Sequence, residues 1–168
     1  VVKELKLDYD FTSMKISFGF PWVKNPQKLQ SYFKSSPCAL LVQEYTKRIH
    51  NFTPCEISGG KLTGFTEKER PANSVLWLCD RGPKAKVFSS EEVAKKLADV
   101  MNTSSKTLYI CLGLSEGFDE NYISENKIKI DLRWSFGPMT LPHELAAVVC
   151  VEQIYRALEI RKGGPYHK

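Results

Sequence analysis

The chain alternates short, unbroken apolar runs with amphipathic stretches, and the two patterns predict different elements. Residues 14–20 (MKISFGF), Ser74–Cys79 (SVLWLC) and Thr107–Leu112 (TLYICL) are strand-length runs bounded by turn residues, as expected of strands covered on both faces. Residues 53–57 form a weaker strand pattern. Residues 127–132 alternate charge with isoleucine or leucine, which fits a strand nearer an edge. Helical patterns separate these runs. Residues 26–34 predict a short helix. Residues 38–49 follow the cap and proline of Ser36-Pro37, turning Leu40, Leu41, Val42, Tyr45 and Ile49 inward and Lys47 and Arg48 outward. Ser89-Ser90-Glu91-Glu92 is a capping box that opens a helix reaching about Met101. Residues 59–73 and 134–139 read as loops.

The last stretch carries the longest apolar pattern. Thr140-Leu141-Pro142-His143 offers a capping hydroxyl and a first-turn proline, and residues 145–160 are interrupted only by Glu152 and Arg156. Those two stand four apart and can pair on one helix face. Gly163-Gly164-Pro165 ends the helix and delivers Tyr166-His167-Lys168, an aromatic ring, an imidazole and an amine. Chain ends are usually polar and frayed, so this composition points to a tail that docks.

Strands alternating with helices across short connections predict an α/β fold with a largely parallel sheet. In such sheets ligands sit at the carboxyl ends of the strands. Three loops become candidates for a site: residues 80–83, 113–117 and 135–142.

Composition narrows the picture modestly. The chain has 168 residues, enough for one domain with a real core, and residues 1–13 read as an extension or arm before a single domain at 14–168. A net charge of +5 mildly favours an anionic partner. Five scattered cysteines without a C-x-x-C pair predict a reducing, cytoplasmic compartment and no zinc site. No apolar run is long enough to predict a membrane span.

Nucleotide-phosphate, dinucleotide, hydrolase-elbow and metalloprotease motifs are absent from the sequence. The three histidines, His50, His143 and His167, are too far apart in sequence to suggest a metal centre. Glu91 and Glu92 are explained by helix capping rather than as an acid/base dyad. His143, near a helix start, reads as a structural hydrogen bonder. Glu152 and Arg156 fit an intrahelical ion pair and a functional role equally well.

Several marks occur in the order found in one known family. They are MKI at Met14, Glu44-Tyr45-Thr46-Lys47-Arg48, Leu78-Cys79-Asp80-Arg81-Gly82, Thr140-Leu141-Pro142-His143, Glu152-Gln153-Ile154-Tyr155-Arg156-Ala157 and Pro165-Tyr166-His167-Lys168. From Met14 onward the chain resembles the ribosomal large-subunit methyltransferase H family, a minimal branch of the SPOUT, or α/β-knot, methyltransferases. The resemblance implies helices on both faces of a parallel sheet, a C-terminal trefoil knot and a homodimer. It also implies S-adenosylmethionine as cofactor and methyl transfer to N3 of a pseudouridine in large-subunit ribosomal RNA on the assembled ribosome, without a metal. Carried over by position, Leu78 and Gly113 contact the cofactor, and Gly137, Pro138, Met139, Thr140, Leu141 and Pro142 wrap it. Arg156, Tyr166 and His167 serve the target nucleotide, with His167 as the candidate for proton handling. Arg81 and Lys168 meet RNA phosphate. Gly113-Leu114 stands where the family usually has two glycines, and Ala147 where it often has arginine. The alternatives are a non-catalytic knot protein that binds RNA or the ribosome, and a SPOUT enzyme with another RNA target.

Overall fold

The computed structural model describes residues 14–167; the predicted extension and Lys168 lie outside the described residues. In chain order the elements are β1 (Lys15–Gly19), α1 (Ser36–His50), β2 (Cys55–Ser58), β3 (Ser74–Cys79), β4 (Lys86–Val87), α2 (Ser90–Met101), β5 (Thr107–Leu112), α3 (Glu120–Glu125), β6 (Leu132–Ser135) and α4 (His143–Lys162). Short 3-10 helices occupy Pro26–Tyr32 and Leu62–Phe65. The strands form one sheet in the order β2-β1-β5-β3-β6-β4, and every pairing is parallel. The expected α/β architecture is present.

Both faces of the sheet are covered, and the strand period of two distributes the side chains. On β3, Trp77 and Cys79 join a core with α1, α2 and α4, while Leu76 and Leu78 join a second core with Phe65, Ile123 and Ile128. On β5, Leu108, Ile110 and Leu112 face the first core and Cys111 the second. Helix α4 packs against both α1 and α2 and forms the centre of its layer. Ser35 caps α1 by accepting from the Cys38 N–H, and its own N–H donates to the buried Glu144 carboxylate at 2.8 Å. That bond places the starts of α1 and α4 side by side.

Five local expectations change, the first being that Ser35 rather than Ser36 caps α1. Leu40 and Leu41 are 56% and 43% exposed, because the inward stripe of α1 runs through Ala39, Val42 and Ile49 at helical spacing. The strand expected at 127–132 begins only at Leu132 and continues through Ser135, into the segment read as loop. Lys127 adopts a left-handed φ of 49° after α3, and the Ile128 N–H caps back to the Ile123 carbonyl, so Ile128 covers α3 instead of joining a ladder. Thr140 does not cap α4. The cap residue is Pro142, extended at φ −53° and ψ 142°, and the Thr140 hydroxyl is engaged elsewhere. Glu92 alone completes the capping box with Ser89, which leaves Glu91 free for another contact. At the other end, Gly163 takes the left-handed conformation with φ 77° and terminates α4 as its sequence predicts.

Candidate cofactor cleft and tail cluster

The three loops predicted from the parallel-sheet rule converge on one cleft of about 1210 Å³. Its walls are residues 79–83 after β3, 112–118 after β5 and 135–143 after β6, with Ala85, Val87, Glu120 and Ala146 at the margins. Arg81 Nη1 donates to Thr140 Oγ1 at 2.5 Å, tying the first loop to the third. Gly137 sits at φ 111°, a backbone conformation that favours glycine, and its N–H donates to Ser135 Oγ at 3.2 Å. The Gly113 N–H donates to the Cys79 carbonyl at 2.9 Å. A Cβ added at Gly113 would lie 3.1 Å from the Phe118 ring, so the backbone approaches the cleft wall closely there. Leu114 is 49% exposed at the cleft and bridges to Gly117 across a tight turn.

A charged strut supports the outer wall. Arg133 grips Glu120 with two nitrogens at 2.6 and 2.9 Å and lies 3.6 Å from the Asp80 carboxylate. The Arg133 hydrogen bonds hold the Glu120 carboxyl below the usual carboxylate range. Sequence reading missed this trio because its members come from three separate segments and match no motif. His143 lines the cleft, and its ring meets Trp22 edge-on at 4.5 Å, so it serves as packing at the site margin.

The tail forms a second cluster. Glu152 Oε1 accepts from Tyr166 OH at 3.0 Å and from Arg156 Nε and Nη2 at 3.0 and 2.7 Å. Arg156 stacks over the Tyr166 ring and also meets His167 Nδ1 at 3.1 Å, while His167 Nε2 meets Glu91 Oε1 at 2.7 Å. Tyr45 and Tyr155 complete the aromatic surroundings of Tyr166. Burial, then hydrogen bonding by Tyr45 and Glu152, pushes the Tyr166 phenol above its ordinary range.

The predicted site residues thus divide. Gly113, Arg81 and all of Gly137, Pro138, Met139, Thr140, Leu141 and Pro142 line the cleft. Leu78 is fully buried in the second core, one residue before the cleft begins. Arg156, Tyr166 and His167 come together, but around Glu152 rather than at the cleft wall. Glu152 lies six residues beyond Ala146, the last cleft residue of α4, or about 9 Å along the helix. Ala147 is fully buried in the first core, so a missing arginine there removes no surface contact from this chain. Among the described residues no group of side chains is arranged to hold a metal, and no helix is long and apolar enough to cross a membrane.

Comparison with known proteins agrees with this geometry. A family model described as predicted SPOUT methyltransferase matches residues 31–167. The ribosomal RNA large subunit methyltransferase H of Leuconostoc citreum is 41% identical over 144 residues, covering 76% of this chain and 88% of that protein. The protein of the same name from Coprothermobacter proteolyticus is 35% identical over 130 residues, 76% of this chain and 86% of its own length. Its namesake from Legionella pneumophila is 34% identical over 143 residues, 76% of this chain and 87% of its own. With its parallel sheet, its three-loop cleft and these relatives, the chain belongs to the SPOUT methyltransferase family.

Proposed function

We propose that this protein transfers a methyl group from S-adenosylmethionine to N3 of a pseudouridine in large-subunit ribosomal RNA. The observation that carries the reading is the convergence of all three post-strand loops, including residues 137–142 entire, on one cleft. Relatives named for large-subunit RNA methylation, of whose length this chain covers more than four fifths, support the substrate class. The cleft is large enough for a nucleoside-sized group, and its close backbone approach at Gly113 and turn at Gly137 suit a ligand held by main-chain atoms. Loops from β3, β5 and β6 enclosing one cleft are also compatible with the C-terminal trefoil knot.

When bound, S-adenosylmethionine supplies a methyl carbon made electrophilic by its sulfonium. The work left to the chain is positioning a base nitrogen in line and accepting its proton. Residues 137–142 and Gly113 would hold the cofactor. The Arg81–Thr140 bond would fix the loop that wraps it. Arg156 and Tyr166 would orient the target base, and His167 would accept the N3 proton. Arg81 and Lys168 would meet phosphate, which positions RNA without reading its sequence.

In one chain the tail cluster stands apart from the cleft, and a homodimer would bring a second tail within reach. Leu40 and Leu41 on α1 and Leu145 on α4 are exposed near the Ser35–Glu144 junction, an apolar surface suited to such a partner. The assembled ribosome as substrate places the activity in the cytoplasm.

Calorimetric titration with S-adenosylmethionine, followed by methyl transfer to purified ribosomes, tests the reading. Saturable binding of up to one cofactor per protomer and ribosome-dependent transfer are expected. No binding at millimolar cofactor, with ribosomes absent or present, would overturn it in favour of a non-catalytic RNA-binding protein.

A further inference from the structure

Resting on that reading, we propose that a basic groove behind the cleft, at the β4 edge of the sheet, is the track for the phosphate backbone of the RNA substrate. The segment joining β3 to α2 separates the two hollows. Ala85 and Val87 line the cleft, while the alternate positions Lys84, Lys86 and Phe88 line the groove on the other side. Lys96 from α2 and Arg133 from β6 complete its cationic lining, and its volume is about 300 Å³.

The charge in this groove is unbalanced. Its one carboxylate, Asp131, is answered by Arg70 at 2.9 Å and accepts the Leu76 N–H. The neighbouring Glu120 is gripped by Arg133 and reached by Lys84 only at 3.6 Å. Lys86 is exposed, and Lys96 rests its ammonium 4.5 Å from the Phe88 ring centroid. Lysines on an edge strand also discourage pairing with another sheet. That account covers Lys86 alone, since Lys96 comes from a helix and Lys84 from a turn. Cations from separate elements lining one groove, one of them over an aromatic ring, fit a polyanion with planar bases better than an acidic protein surface. The one-strand partition lets phosphates lie on the lysines while a nucleotide crosses the rim into the cleft.

The test is binding of purified bacterial large ribosomal subunits, and of their protein-free RNA, by the full chain across a salt series. The triple variant Lys84→Gln, Lys86→Gln, Lys96→Gln is compared with wild type and with Lys28→Gln, Lys34→Gln, Lys61→Gln, a control at exposed lysines elsewhere. Each lost phosphate contact lowers the slope of log affinity against log salt by roughly 0.7–0.9, so the groove variant should lose about 2–3 in slope and the control far less. S-adenosylmethionine affinity and melting temperature should be unchanged. An unchanged slope, or an equal loss in the control, overturns the groove. So does a loss seen with subunits but not with protein-free RNA, which would assign the lysines to a ribosomal protein. Binding is read without methyl transfer. A chain that binds through the groove yet transfers no methyl would therefore sink the enzymatic reading and leave the groove standing.

Discussion

Arg156 Nη1 lies 3.1 Å from His167 Nδ1, and this contact sets the hydrogen-bond roles of the two ring nitrogens. A guanidinium only donates, so Nδ1 must present its lone pair. The proton then resides on Nε2, which donates to Glu91 Oε1 at 2.7 Å. His167 is held through both ring nitrogens between a cation and a carboxylate, and Nδ1 is open to another partner only when Arg156 releases it. His167→Ala should therefore lower methyl transfer by about 10²–10⁴-fold, the usual worth of a placed acid or base, while leaving cofactor affinity near normal. Single-turnover rates and calorimetry read the two effects separately. Wild-type turnover in the variant would remove His167 from the chemistry.

The same latch has a predictable response to acid. The hydrogen bond from His167 holds the exposed Glu91 carboxyl below its ordinary value. A depressed carboxylate favours the docked tail above its undocked pKa, and that advantage disappears as pH falls through the lowered value. The Glu91 contribution to docking should persist at neutral pH and fade below the usual carboxylate range. Nitrogen chemical shifts of the His167 ring follow this directly. A tail that undocks before Glu91 protonates, or an unaltered acid transition in Glu91→Gln, would dissolve the latch.

Glu152 is the hub of the cluster, and its loss should be felt more widely than that of either tail residue. It accepts from Arg156 twice and from Tyr166, with only 18% of its side chain exposed. Glu152→Ala would leave a partly buried guanidinium and a phenol without their acceptor. A cost of about 1–2 kcal/mol is expected after allowing for solvent around the pair. Urea unfolding measures the cost, and Tyr166→Phe, which removes only one donor, should lose less. Equal losses would mean that the Arg156 bonds contribute nothing.

How much of this was legible beforehand depended on where each signal resides. The strands Ser74–Cys79 and Thr107–Leu112 stand out because burial on both faces demands an unbroken apolar run. The parallel-sheet rule then located two of the three cleft loops from those strand ends. β4 is two exposed residues made into a strand only by pairing with β6, so no local pattern announces it. Residues 127–132 carry a strand-like alternation that the left-handed turn at Lys127 overrides. The contact between Glu91 and His167 spans 76 positions. It was hidden behind the capping-box explanation of Glu91, which the fold assigns to Glu92 alone.

Gly113 tests whether close backbone approach matters to the cleft. Its N–H is committed to the Cys79 carbonyl, and an added Cβ would stand 3.1 Å from Phe118 and 3.4 Å from that carbonyl. Gly113→Ala must displace the ring or shift the loop. Overpacking of this kind costs about 1–3 kcal/mol, and borne by the cofactor-holding loop it should lower cofactor affinity about 5- to 150-fold. Pairing it with Phe118→Leu should restore part of the affinity by making room. Affinity unchanged in the single variant would mean that the cofactor makes no use of this backbone.

The last prediction concerns alkali. Burial pushes the Cys111 thiol up to about 12 and the Cys79 thiol, beside Cys150, well above its ordinary value of 9.0. In the folded chain these thiols keep protons that the unfolded chain releases above about pH 9. The unfolded state then binds fewer protons, so stability falls as pH rises. Each such thiol removes up to about 1.4 kcal/mol per pH unit. Urea unfolding between pH 9 and 10, below the ordinary tyrosine range, should show the decline. Cys111→Ala should make it shallower, although truncation also lowers stability at every pH. A slope identical in wild type and variant would assign the alkaline loss to groups other than Cys111.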